Sequence, residues 1–259
     1  MKGGTRQGTL PAETTRKAES LPSPTREKSN RPGRPTRQVG STDKRDQILD
    51  AAEALFAQYG FHGVTVRQVT SAANVDVALV YYYFENKRAL FDAVLLRRAT
   101  IVNKERLDLL EAAEFSPEDG CAIEKLVAAF VDPIYRYLAT GDSGWRHYFA
   151  LIAQINNAPE WGAQVMPGFF DPVATKLIEN LRKVMPGAED DDLFWGFDFL
   201  SGALTLTLAG TGRIDRLSNG LCLSSDYPSI QARLPRYIAA GFRQVYADRL
   251  AKKKAEGAA

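Results

Sequence analysis

The twenty residues from Thr65 to Phe84, TVRQVTSAANVDVALVYYYF, leave room for little besides two short helices joined by a tight turn. Val66, Val69 and Ala73 recur three and four residues apart and line one face of a first helix. Val75, Leu79 and Val80 supply the buried face of a second. Thr65 is placed to cap the first helix by accepting a backbone N–H, and Asp76 to cap the second. Asn74 sits at the turn, where a positive φ is usually demanded and where asparagine is the best substitute for glycine. Val77, Ala78 and Tyr81 are left facing outward. Two helices of this size with one free face have the form of a helix-turn-helix reader, whose second helix enters the DNA major groove.

A supporting helix from about Thr42 to Tyr59 is expected from Ile48, Ala52, Leu55, Phe56 and Tyr59 at helical spacing, with Gly60 ending it at the C′ position. With that helix included, the stretch from Asp46 to Leu96 resembles the N-terminal domain of tetracycline-repressor (TetR) type regulators. The resemblance rests on Phe56, Gly60, Thr65, Val69, Ala73, Val75, Tyr81, Phe84, Lys87 and Leu90 and covers about a fifth of the chain. It implies that Thr65, Tyr82 and Lys87 contact the DNA backbone, while Val77, Ala78, Leu79 and Tyr81 fall in the segment facing bases. Phosphate contacts set register and base contacts set sequence choice. Two positions depart from the family pattern: Val77 stands where a Lys or Arg often follows the cap, and Leu79 where a small polar residue is common. Val77 and Ala78 cannot form bidentate pairs with G or A, yet they can pack on a thymine methyl. Arg67 is a candidate for base or phosphate contact, against the alternative of a surface charge paired with a nearby carboxylate. Tyr83 and Phe84 are expected to pack against the next helix.

Charge is unevenly spread. Residues 1–45 carry 11 Lys and Arg against 4 Asp and Glu, a net of +7, and the remainder a net of −5. The basic segment is rich in Pro, Ser, Thr and Gly with almost no aliphatic residue before Ile48, so it lacks the apolar surface needed to offset chain entropy. Within it, Arg31-Pro32-Gly33-Arg34-Pro35-Thr36-Arg37 has the composition of a hook for a narrow A·T-rich minor groove, or of a solvated basic linker. There is no run of eighteen apolar residues and no apolar leader segment, so a cytoplasmic protein without a membrane span is expected. Cys121 and Cys222 are too few and too separated for a disulfide framework or zinc site, and are expected to be buried or partly buried thiols.

Beyond Lys87 the pattern stays helical, with expected helices at roughly 87–114, 117–139, 144–157, 160–166, 171–185, 190–209 and 228–252. Ser116-Pro117-Glu118-Asp119, Ser143, Asp171-Pro172 and the acidic run 189–192 mark starts, and Pro133 and Pro235 are expected to kink or interrupt their helices. Residues 191–210, DDLFWGFDFLSGALTLTLAG, are apolar on nearly all sides and have two faces to bury. One face suits the domain core. The other suits a second subunit, with Ile238, Ala239, Phe242 and Val245 of the last helix as companions, or else a single fully buried helix in a monomer. The resemblance likewise implies a dimeric four-helix bundle and a small-molecule effector. Trp145, Tyr148, Phe149, Trp161, Phe169, Phe170, Trp195 and Phe199 are the candidate pocket residues, with His147, Gln154 and Asn156 as polar groups and ordinary core packing as the alternative.

Catalysis is not expected. Gly141-Asp142-Ser143-Gly144 matches a serine-protease nucleophile loop, but an all-helical chain whose histidines are His62 and His147 offers no triad, and Ser143 reads as a helix cap. Neither histidine has metal-ligand company, and Gly210-Thr211-Gly212 lacks a preceding strand, so no metal or nucleotide cofactor is expected. A helical small-molecule-binding or scaffold protein with an unused reading head is the competing reading. The expected fold is all-α: a disordered basic arm over 1–41, a three-helix helix-turn-helix DNA-binding domain over 42–98, and a larger helical ligand-binding and dimerisation domain over 99–259. The expected partners are double-stranded DNA, a second copy of the chain, and a small-molecule effector.

Deleting residues 1–40 is expected to weaken DNA binding and flatten its salt dependence, because phosphate contacts by the arm release counterions. Binding isotherms across a salt series check this, and an unchanged slope rejects it.

Overall fold

The computed structural model describes residues 40–112 and 115–256, and the side chains of all of these except 40–43 and 160–164. The basic arm lies outside the described residues but for its last two positions, which open the first helix. Among the described residues there are eleven α-helices and no strand. The supporting helix α1 spans Gly40–Tyr59 and stops at Gly60, whose φ of 67° only glycine adopts cheaply. The reading pair is α2 (Val66–Ala72) and α3 (Val77–Tyr83).

The next helix, α4 (Lys87–Ala112), joins two hydrophobic cores. At its 26 residues it is about 39 Å long. Leu90, Phe91, Val94 and Leu95 complete the core of the head around Ile48, Leu49, Phe56, Val69 and Val80. Ala99, Val102 and Leu110 enter the larger core. That core is built by α5 (Ala122–Ala139), α6 (Ser143–Asn156), α8 (Asp171–Val184), α9 (Asp190–Leu208) and α11 (Tyr227–Glu256). Leu151 and Ile155 of α6, with Val165 of α7 (Pro159–Phe169), belong to the core of the head, so the head is seated on the larger domain through its own apolar surface.

Several boundaries differ from the sequence expectation. Ser116-Pro117 opens a turn, and α5 begins only at Ala122. The Asp119 carboxylate accepts from Cys121 N at 2.9 Å and pairs with Lys125 at 2.7 Å, and Gly120 follows it; both discourage helix. The cap of α6 is Asp142, accepting from Gly144 N at 2.8 Å, while Ser143 is the first helical residue. A five-residue helix, α10 (Arg213–Leu217), is too short to leave a periodic signature. Pro133 and Pro235 sit inside α5 and α11, which continue past both. Cys121 and Cys222 are exposed rather than buried, since each lies in a linking segment and not on an apolar helical face.

The two faces of α9 part company. Leu193, Leu200, Leu204 and Leu208 are buried, whereas Phe194, Trp195, Phe199 and Leu206 are each more than half exposed. At Gly196 α9 meets α11 so closely that an added Cβ would overlap the ring of Phe242. Gly196→Ala is expected to cost roughly 1–3 kcal/mol by overpacking, and so to lower Tm by several degrees. Thermal unfolding of the two proteins measures it, with Phe242→Leu in the alanine background recovering part of the loss.

Candidate nucleic-acid interface and effector cavity

Local hydrogen bonds hold the reading pair. Thr65 Oγ1 accepts from Gln68 N at 3.3 Å while Gln68 Oε1 accepts from Thr65 N at 2.7 Å, a reciprocal cap that satisfies two orphan donors of α2. Asn74 takes the left-handed conformation, φ 50°, that reverses the chain between the helices. Asp76 Oδ1 accepts from Ala78 N at 2.7 Å and starts α3. Val80 then points into the core, and Val77, Ala78, Tyr81 and Tyr82 share the outer face, with Tyr82 76% exposed. Leu79, expected both on the buried side of α3 and in the base-facing segment, is half-buried against the core of the head, beside Val80. Thr65 is exposed while its hydroxyl serves the cap, and Tyr83 and Phe84 are packed inward.

Around this face stand two cations. Arg67, in the first turn of α2, is exposed. Lys87 opens α4, and its ammonium lies 4.3 Å from the Phe61 ring centroid. Burial of its stem lowers the Lys87 pKa. Asn86 Oδ1 accepts from Ala89 N at 2.9 Å and caps the same helix.

The sequence reading missed the joint between head and larger domain. Glu53 of α1 is 1% exposed and accepts from Arg98 Nε at 2.8 Å and Arg97 Nη2 at 3.2 Å, both on α4. Arg98 also lies 4.7 Å over the Trp145 ring and 3.5 Å from Asp142, both belonging to the start of α6. An added Cβ on Gly144 would overlap the Arg98 guanidinium, so the glycine is what admits it. Gln154 Nε2 donates to Ala57 O at 2.6 Å, a second tie between α6 and α1. Helical periodicity reports which face is apolar and carries no information on which charges meet across elements.

In the larger domain a cavity of about 430 Å³ is lined by residues of α4, α5, α6, α7, α8 and α9. Of the candidate pocket residues, Phe149 and Phe170 line it. Trp145 and Tyr148 are buried beside Phe149 in an aromatic cluster, and Phe169 is half-buried between the two cores. Trp195 and Phe199, 61% and 65% exposed, do not reach the cavity. They stack on each other on the far face of α9, because positions 197, 198, 201, 202, 204, 205 and 208 are the ones turned toward the cavity. With Tyr237, Phe242 and Val245 they line an open groove of about 820 Å³. The Trp161 side chain lies outside the described residues. Asn156 lines the cavity and donates to Thr205 Oγ1 at 2.8 Å, Gln154 is engaged at Ala57, and His147 is not part of the lining. Arg106, buried at the cavity wall, was not singled out in the sequence because one arginine in a charged helix has no distinguishing local pattern.

Residues 48–94 match the model described as bacterial regulatory proteins, tetR family, and residues 128–241 that of the tetracyclin repressor-like C-terminal domain. Among curated relatives, the HTH-type transcriptional regulator RutR of Escherichia coli is 44% identical over 52 residues, 20% of this chain and 24% of that protein. The HTH-type transcriptional repressor NicS of Pseudomonas putida is 36% identical over 97 residues, 36% of this chain and 42% of NicS. The chain therefore spans less than half the length of these relatives. The fatty acid degradation regulator FadR from Bacillus halodurans shares the fold, with TM-score 0.54 and 18% identity over 77% of this chain and 96% of FadR.

Removing the carboxylate at the joint leaves two arginines facing a vacated pocket. Glu53→Ala is expected to destabilise the protein by about 3–5 kcal/mol, the usual outcome of orphaning one side of a buried pair. Urea unfolding checks it; a loss under about 1 kcal/mol would mean that the pair acts as an ordinary surface salt bridge.

Proposed function

The chain belongs to the tetracycline-repressor family of transcriptional regulators, and from that premise we propose that it is a ligand-responsive repressor binding a palindromic operator as a homodimer. The carrying observation is the outer face of α3, where Val77, Ala78, Tyr81 and Tyr82 stand together on a helix held by caps at both its own start and that of α2. Val77 and Ala78 meet thymine methyls in the major groove, and Arg67 supplies a cationic contact to base or phosphate. Tyr82, Thr65 and Lys87 set register on the phosphates. Leu79 is better placed as the packing residue beneath this face.

The exposed aromatic groove of α9 and α11 supports the second half of the reading. Trp195, Phe199, Tyr237 and Val245 form an apolar surface on a single chain, and a twofold pairing of this patch with its copy would bury it. Such a dimer presents its two α3 helices to major grooves about 34–36 Å apart. An effector in the cavity that binds better to one spacing of the heads shifts the population away from the DNA-binding form. The division into a head over 42–98 and an effector and dimerisation domain over 99–259 follows the same reading. Among the described residues no helix is long and apolar enough to cross a membrane, and a working place in the cytoplasm, beside its operator, is part of the same proposal.

Selection of bound duplexes from a random pool by purified protein tests this. An enriched palindrome is expected, with Tyr82→Ala and Lys87→Ala each weakening its binding about tenfold, in keeping with one charged or polar phosphate contact. Trp195→Glu with Phe199→Glu is expected to yield monomers in sedimentation and to abolish high-affinity binding. No enrichment at all would favour a helical binding or scaffold protein whose head is unused.

A further inference from the structure

The charge balance inside the cavity narrows its occupant. Arg106 of α4 is 4% exposed. Its Nε donates to Phe130 O at 2.7 Å and its Nη1 to Asn103 Oδ1 at 3.0 Å, and Asn103 is itself oriented by donating to Phe169 O at 2.5 Å. The guanidinium lies 3.8 Å from the Phe130 ring centroid. Both acceptors are neutral. Among the described residues no carboxylate lies within ion-pairing distance of Arg106, and no hydrogen bond engages Nη2. Tyr148 Oη, fully buried and without a hydrogen-bond partner, is within Coulombic range of the same guanidinium. Burial lowers the Arg106 pKa to about 9, so the group is still charged at neutral pH. An uncompensated buried cation costs several kcal/mol, a cost that a structural arginine would normally offset with a carboxylate.

We infer that the cavity takes an apolar monocarboxylic acid, its carboxylate held by Arg106 Nη2 and its aryl or alkyl body among Phe130, Phe149, Phe170 and Phe197. The inference rests on the reading of this cavity as the effector site and names the chemistry of that effector. The volume of about 430 Å³ suits a compact molecule. Asp171 and Asp198 are exposed and line the same cavity, so they mark its mouth. A second negative charge would meet them there, which selects a monoanion that enters acid first. The occupied end is also wired to the head: Phe149 stacks on Trp145 at 5.7 Å, and Trp145 lies under the Arg98 that holds Glu53.

Calorimetric titration of the full-length protein with octanoate and cinnamate, against octanamide and cinnamamide, tests the assignment. The acids are expected to bind at least about tenfold more tightly than their amides, the worth of a charge-assisted hydrogen bond. Arg106→Met is expected to erase that preference, so that acid and amide bind with similar affinity. The acid-to-amide ratio on the unaltered protein decides the matter even if that variant folds poorly. Equal affinities, no binding of either acid at millimolar concentration, or a preference that survives Arg106→Met would each overturn the inference. Repeating the titrations with operator DNA separates the two readings. Acids that bind as described yet leave operator affinity unchanged would sink the effector reading and spare this one; amides that alone bind and release DNA would do the reverse.

Discussion

A single carboxylate, Glu53, sits where three helices converge, and its pairing with Arg97 and Arg98 governs how the reading head is carried. Burying an isolated charge is prohibitive, so once Glu53 is placed on the inner face of α1 the two arginines of α4 must face it. Arg98 then has a fixed orientation in which its guanidinium can cover Trp145 and approach Asp142 at the start of α6. The head is thereby referenced to α4 and α6 together. Apolar packing by Leu151, Ile155 and Val165 adds adhesion at the same seam, but it is the charge cluster that sets the register, because hydrogen bonds and ion pairs are directional and apolar contact is not.

From that joint, α4 runs into the larger core and carries Val102 and Arg106 at the wall of the cavity. The cavity thus borders the same helix, and the same Phe149 stacked on Trp145, that meet the head at Arg98. In the proposed reading, the ligand redistributes two head spacings only to the extent that it binds one better than the other. The apolar groove of α9 and α11 lies on the opposite face of α9 from the cavity, so one helix borders both.

The features legible in the chain were those with short-range causes. Thr65 with Gln68, Asp76 with Ala78, and Asn74 with its positive φ each depend on neighbours within three residues, and each occupies the role its identity suggests. The apolar periodicity of α5, α6 and α8 is similarly local. Where two local signals competed, reading the chain alone chose wrongly. Ser116-Pro117 looks like a helix start but its turn is captured by Asp119, and Asp142 precedes Ser143 as the cap of α6. The aromatic set was divided by the helical phase of α9, which turned Trp195 and Phe199 away from Phe149 and Phe170.

By composition and spacing the chain already specified an all-helical protein with a small capped reader, a long connecting helix and an apolar segment with a face to spare, since backbone propensity and periodicity act over a few residues. Folding in three dimensions settled which charges were matched and which were left over. Glu53 found partners 44 and 45 positions away, and Arg106 found only neutral ones, from Asn103 and from Phe130. Whether a buried charge is neutralised depends on distances across packed helices, and no pattern along the strand encodes those distances.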